Sequence, residues 1–271
     1  MTFEAWVAVR AAAAESASSG RFACHVVDLV DGREAGWAAD IVRPAASLVK
    51  VCILLDLLVR AEQGEFSLDE RMSLRARDKV GGAGVLTELH EGLELTLHDL
   101  AVLMIVVSDN TASNMLIDRL GMERINERIA AMGMGATVLG RKFMIDPNAL
   151  HAKNFTTAGD MARALARLER GELSSEAVRA QALGILLRQQ YREKIPLLLP
   201  PNVPVANKTG EISAHRHDVA LVRSNRPYVL ACLTWDLTDE LAGDRAIAQF
   251  SRDLYGHLGD GPRATEGELL C

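Results

Sequence analysis

The chain has 271 residues, 49% of them hydrophobic, enough apolar material to bury a sizeable core in one large domain or two interleaved lobes. A net charge of −6, no basic cluster and an aromatic content of only 4% argue against nucleic acid or an anionic membrane surface as partner. No stretch approaches the eighteen or so uninterrupted apolar residues that a membrane span needs (about 20 in a typical helix).

The first residues, Met1 to Trp6, lack a basic lead-in, and Glu4, Arg10 and Glu15 break the apolar character that follows, so this is not a signal peptide. The chain as given therefore reads as cytoplasmic, or as periplasmic or secreted where a leader has been removed. An alanine-rich helix is expected from Thr2 to about Ser19, ended by Gly20. Arg21–Leu29 and Glu34–Asp40, joined by Asp31-Gly32, read as a β-hairpin. From Pro44 to about Arg192 the pattern is mostly helical, punctuated by glycines and Pro147. Strands return at Val205–Thr209, His217–Val222 and Tyr228–Trp235, followed by a helix from about Thr238 to Leu258 and a loose tail over 259–271. Strands at both chain ends around an inserted helical block imply an α/β (α+β) protein. In it one antiparallel sheet, built from residues 1–43 and 200–258, faces an all-helical lobe of residues 44–199, within a single domain spanning 1–258. The four cysteines show no metal-ligand spacing, the three in apolar runs are expected to be reduced and buried, and no histidine pair shares a helix face, so neither metal nor cofactor is expected.

Three motifs carry chemistry. In Pro44-Ala45-Ala46-Ser47-Leu48-Val49-Lys50 the proline is expected just inside a helix start, which places Ser47 and Lys50 three apart on one face. A lysine made basic by burial and by the positive helix end can take a proton from the serine hydroxyl. Ser108-Asp109-Asn110 is pinned between two apolar segments, Leu100–Val107 and Thr111–Leu116, and doubles as a helix cap. Lys208-Thr209-Gly210 ends a strand, where an ammonium, a hydroxyl and a close-approaching glycine backbone suit a substrate carboxylate and carbonyl. Gly81-Gly82-Ala83-Gly84 lacks the lysine and helix context of a phosphate loop.

In this order, separated by 61 and 100 residues, the three motifs resemble those of the class A β-lactamases and the related penicillin-binding D,D-peptidases, a likeness that runs from about Phe3 to Leu258. It implies a β-lactamase/D,D-peptidase-like fold with a five-stranded sheet, and makes Gly81 to Gly84 a flexible lip at the rim of the site. It also implies that Ser47 is the acylated nucleophile, Lys50 its general base and Ser108 the proton relay to the leaving group. Asn110 would bind the substrate amide. Lys208 and Thr209, helped by Arg216, would receive a carboxylate, and the backbone N–H groups of Ser47 and Glu211 would form the oxyanion hole.

The same resemblance exposes a departure. The family's deacylation glutamate sits in a loop that here reads Leu139 to Leu150, and Phe143 falls at its position. No glutamate occurs from Thr137 to Gly159, and Asp146 is the one carboxylate offered as a substitute water activator. The expected activity is therefore that of a serine hydrolase or acyltransferase working through an acyl-enzyme on a small amide or ester, with slow β-lactam turnover. A true β-lactamase with an unusual deacylation residue and an acylatable, non-catalytic binding domain are the alternatives. The oligomeric state is not legible.

Overall fold

The structure, a computed structural model, describes residues 1–144 and 153–259; Asp146 and the tail from residue 260 to Cys271 lie outside the described residues. It opens with helix α1 (Phe3–Ala17), whose Thr2 hydroxyl caps the first turn by accepting from the Ala5 N–H. The β1 (Arg21–Asp28) and β2 (Glu34–Trp37) hairpin follows, its second strand ending where Ala38 turns to φ +50. The short strand β3 (Arg43–Pro44) then leads to the central helix α2 (Lys50–Glu62). Beyond it come β4 (Arg71–Ser73) and β5 (Glu94–Thr96), paired with each other, and helices α3 (Leu97–Val106), α4 (Asn110–Leu120) and α5 (Met122–Ala131). After β6 (Phe155–Thr156), which pairs with β3, come α6 (Ala158–Glu169) and α7 (Glu176–Leu186). Three strands, β7 (Val205–Ile212), β8 (His215–Val222) and β9 (Tyr228–Trp235), and α8 (Glu240–Gly259) close the described chain.

The main sheet is antiparallel and five-stranded in the order β2-β1-β9-β8-β7, so strands from the two ends of the chain meet at its centre. Strand residues are buried on both faces, and the side chains sort accordingly. Val27, Val219, Leu221, Val229 and Leu233 join the helical core around α2. Val26, Ala220, Leu230 and Cys232 pack under α1 and α8. Helix α2 is buried nearly all round, from Lys50 to Arg60, which is why its sequence is apolar without a stripe. Cys24, Cys52 and Cys232 are free and buried, as expected. Among the described residues no helix is long and apolar enough to cross a membrane.

The helix start differs from the sequence expectation. Pro44 is not the first residue of a helix but the end of β3, and α2 begins only at Lys50. The intervening turn is set from a distance: Asn154 O accepts the Ala45 N–H at 2.7 Å, and Ala46 sits at φ +46, in the left-handed region that a non-glycine residue adopts only when its surroundings hold it there. Ser47 thus projects from a tight turn, with the Lys50 N–H bonded to its carbonyl at 3.2 Å.

Candidate active site

Two cavities meet at Ser47. The first, of about 330 Å³, runs past Asn110, Arg141, Phe143, Lys153 and Asn154; the second, of about 340 Å³, past Ser108, Tyr191, Glu193 and Thr209, and Glu211 lines both. Among the described residues no acceptor takes the Ser47 N–H and no partner engages its Oγ, and Ser47 lines both cavities.

Lys50 is fully buried at the start of α2. Its Nζ donates to Ser108 O at 2.7 Å, to Asn110 Oδ1 at 2.9 Å and to Ser108 Oγ at 3.2 Å, not to Ser47 as the three-residue spacing suggests. Burial, and then the nearby charge of Lys208, push its pKa well below that of an ordinary lysine, with Asp109 opposing. On losing a proton the amine keeps two donors for Ser108 O and Asn110 Oδ1, and its lone pair then receives the Ser108 hydroxyl proton.

Ser108 holds φ +54 between α3 and α4, a strained conformation that aims its hydroxyl between two lysines. Lys208 Nζ donates to Ser108 Oγ at 3.1 Å and to Thr209 O at 2.7 Å. Lys208 is itself fully buried, and this burial lowers its pKa to about 7, partly offset by Asp218. It lies beneath Ser108 and forms no part of either cavity wall, where the sequence suggested direct contact with a carboxylate. Thr209 does line the second cavity. It is 3% exposed, and its hydroxyl has no hydrogen-bond partner among the described residues.

Asp109 caps α4 by accepting from Ala112 N at 2.8 Å and ties down the rim by accepting from Val85 N at 2.6 Å and Leu86 N at 2.9 Å. Asn110 N donates to Ala83 O and its Nδ2 to Gly81 O. The glycine-rich lip is consequently fastened to the Ser108-Asp109-Asn110 turn rather than free. At Gly84, with φ +112, a Cβ would fall 2.3 Å from the Asp109 carboxyl carbon, so only glycine permits the approach.

Phe143 stands where the resemblance places the family's glutamate. Asn114 clamps its backbone from both sides, donating from Nδ2 to Phe143 O and accepting from Phe143 N, each at 2.8 Å. Asn126 holds Leu139 in the same manner, and Asn154 Oδ1 accepts from the N–H groups of Gly140 and Arg141. The Phe143 ring lies 4.4 Å from Lys50 Nζ.

Arg216 turns away from the site. Its guanidinium pairs with Glu240 and lies 3.7 Å from Asp244, both on α8, and it lines neither cavity. Lys194, which nothing in the motifs signals, is fully buried and bonded to Glu211 at 2.5 Å and Glu193 at 2.9 Å, with Asp244 at 3.4 Å; these carboxylates raise its pKa despite burial.

The geometry agrees with the comparisons. A model of the β-lactamase enzyme family matches residues 6–258. The L2 β-lactamase of Stenotrophomonas maltophilia is 29% identical over 232 residues, covering 81% of this chain and 75% of that protein. A β-lactamase from Sphaerobacter thermophilus superposes with a TM-score of 0.90 at 34% identity, covering 96% of this chain and all of the other. PBP-A, as a Leu-to-Glu variant in an acyl-enzyme complex with penicillin G, superposes with a TM-score of 0.87 at 26% identity, over 95% of this chain and 97% of its own. The chain belongs to the β-lactamase enzyme family and is a serine hydrolase of the β-lactamase/D,D-peptidase superfamily.

Proposed function

We propose that this protein forms an acyl-enzyme on Ser47 with a linear amide or ester, and that it releases β-lactam acyl groups slowly. The observation that carries this is the Phe143 ring beside Lys50, 4.4 Å from the amine, where the family's deacylation carboxylate belongs. The carboxylates that line the two cavities among the described residues, Glu193 and Glu211, are both held by Lys194 and are poor candidates for a free base.

Ser47 Oγ attacks the substrate carbonyl, its proton passes to neutral Lys50 by way of the Ser108 hydroxyl, which shares the second cavity with Ser47 and lies 3.2 Å from the amine, and the oxyanion is met by the Ser47 and Glu211 N–H groups, each contributing about 3 kcal/mol to the transition state. The bond to the leaving amine or alcohol breaks as that group receives a proton through Ser108. Asn110 orients the acyl half. A linear leaving group then departs and vacates the second cavity, so water or an amine can enter and attack the ester carbon, releasing acid or new amide and returning a proton to Ser47. A β-lactam keeps its leaving nitrogen tethered in the site and blocks that entry.

Efficient β-lactamase action is the second reading, favoured by the 34% identity to the Sphaerobacter enzyme. Intact-protein mass spectrometry over time with penicillin G, with Ser47→Ala as control, separates the two. A lasting adduct on the wild type alone is expected; rapid drug loss without an adduct overturns the slow-release reading.

A further inference from the structure

His217 lines neither cavity, yet its ring reaches the segment that presents Ser47. It lies on β8 opposite Gly210 of β7 and Leu233 of β9, and it is fully buried. Its Nε2 is 3.0 Å from Pro44 O, at the end of β3 and 173 positions away in sequence. Its Nδ1 faces two backbone groups, Arg216 O at 2.8 Å and the Thr234 N–H at 3.3 Å.

These neighbours decide which nitrogen bears the proton. Burial lowers the ring's pKa to about 4 and keeps it neutral, so it has one N–H to give. Arg216 O already accepts the Thr234 hydroxyl at 2.7 Å, whereas the Thr234 N–H donates to Nδ1 and needs a lone pair there. The proton therefore sits on Nε2, which donates it to Pro44 O.

That bond falls where the two halves of the oxyanion hole meet. The Ser47 turn packs directly on β7: a Cβ at Gly210 would fall 3.2 Å from the Ala46 Cβ and 3.3 Å from Ala45 O. Glu211, the next residue of β7, carries the second N–H. Ala46 keeps its φ of +46 only while the turn is held. One hold is Asn154 O on the Ala45 N–H at 2.7 Å, and His217 on Pro44 O is another.

We propose that His217 is a positioning residue for acylation: its Nε2–H fixes the Ser47 turn against β7, so that the backbone N–H groups of Ser47 and Glu211 keep the spacing an oxyanion needs. The inference rests on the proposed function, which assigns those two N–H groups to the oxyanion hole. Because the ring does not reach the substrate, its loss acts on the rate of bond formation and not on binding.

Penicillin G acylation of Ser47, followed by intact mass and by drug consumption over a range of drug concentrations, separates the limiting rate from the half-saturating concentration. His217→Leu removes the donor and keeps the site apolar. Its limiting rate is expected to fall about 100-fold, the scale of a small misplacement at a reacting centre, with the half-saturating concentration unchanged. His217→Gln can offer an amide N–H near the place of Nε2 and is expected to recover most of that loss. Thr234→Val frees Arg216 O to take the ring proton at Nδ1 and is expected to slow the limiting rate in the same direction. NMR of the ring nitrogens in histidine-labelled wild type, with the His217 signals assigned by their loss in His217→Gln, is expected to show a protonated Nε2 and a bare Nδ1. A ring protonated on Nδ1, equal limiting rates in wild type and His217→Leu, a change confined to the half-saturating concentration, or a Gln variant as slow as the Leu variant overturns the inference and leaves the serine mechanism standing. A wild type that neither forms an adduct with penicillin G nor consumes it overturns both.

Discussion

The Lys50 amine lies over the ring of Phe143, 4.4 Å from its centroid, while its three hydrogen bonds all go to Ser108 and Asn110. An aromatic face can attract a cation but cannot accept a proton from water. Phe143→Glu places a carboxylate at this point, with Asn114 still fixing the backbone. The lifetime of the penicillin adduct, followed by intact mass, is expected to shorten by about 100-fold, the scale of one well-placed general base. Phe143→Leu is expected to leave it long; equal lifetimes in the two variants would show that the missing carboxylate is not what limits release.

Lys208 contributes to the low proton affinity of Lys50 through its charge. A neutral Lys208→Met removes that repulsion, so the pKa of Lys50 rises and the acid limb of the pH–rate profile for acylation moves to higher pH. The rate itself also falls, because Ser108 loses a donor. The position of the limb, measured with a neutral activated ester, distinguishes this electrostatic role from a purely structural one.

Asp109 accepts three backbone N–H groups, one from α4 and two from the rim. Asp109→Ala is expected to cost about 3 kcal/mol of stability in urea unfolding and to slow acylation, since the lip loses its anchor. Gly84→Ala attacks the same contact from the other side and is expected to act in the same direction. Unchanged stability in both variants would refute the anchoring role.

His217 is fully buried with its Nε2 3.0 Å from Pro44 O and Nδ1 2.8 Å from Arg216 O. Burial lowers its pKa from 6.5 to about 4 against the pull of those two carbonyls, with His215 and Lys194 also disfavouring the charge. Above pH 6.5 the ring is neutral in both folded and unfolded chains and adds no pH dependence. As pH falls from 6.5 to about 4 the unfolded chain takes the proton first, so stability is lost over that window, on the order of 3 kcal/mol in total. His217→Asn is expected to flatten the slope of urea midpoint against pH there; an unaltered slope would assign it to other groups.

Much of the site was legible because its chemistry is concentrated in short contiguous motifs, and the structure brings Ser47, Lys50, Ser108 and Lys208 to one place. The sheet was legible because buried strands at both ends of the chain have no other partners. What escaped was set by distant residues. The Asn154 carbonyl holds the turn before α2, more than a hundred residues from Ala45, and no local signal marks Ala46 as left-handed. Arg216 sits beside a motif yet answers to Glu240 and Asp244 on another helix. Lys194 has no motif at all; its importance comes from the acids that folding gathers around it.

Strand β1 is paired along its whole length with β9, from Arg21 opposite Trp235 to Asp28 opposite Tyr228. On the ribosome, then, the first hairpin must wait for some 200 further residues before its inner edge is covered, roughly 10 to 40 s at ordinary rates of synthesis. The same delay applies to the reactive centre, since Lys208 sits on a strand made almost as late. A nascent chain therefore carries Ser47 long before Lys208 can join Ser108 beside it, and that cluster is complete only when the two ends of the polypeptide have found each other.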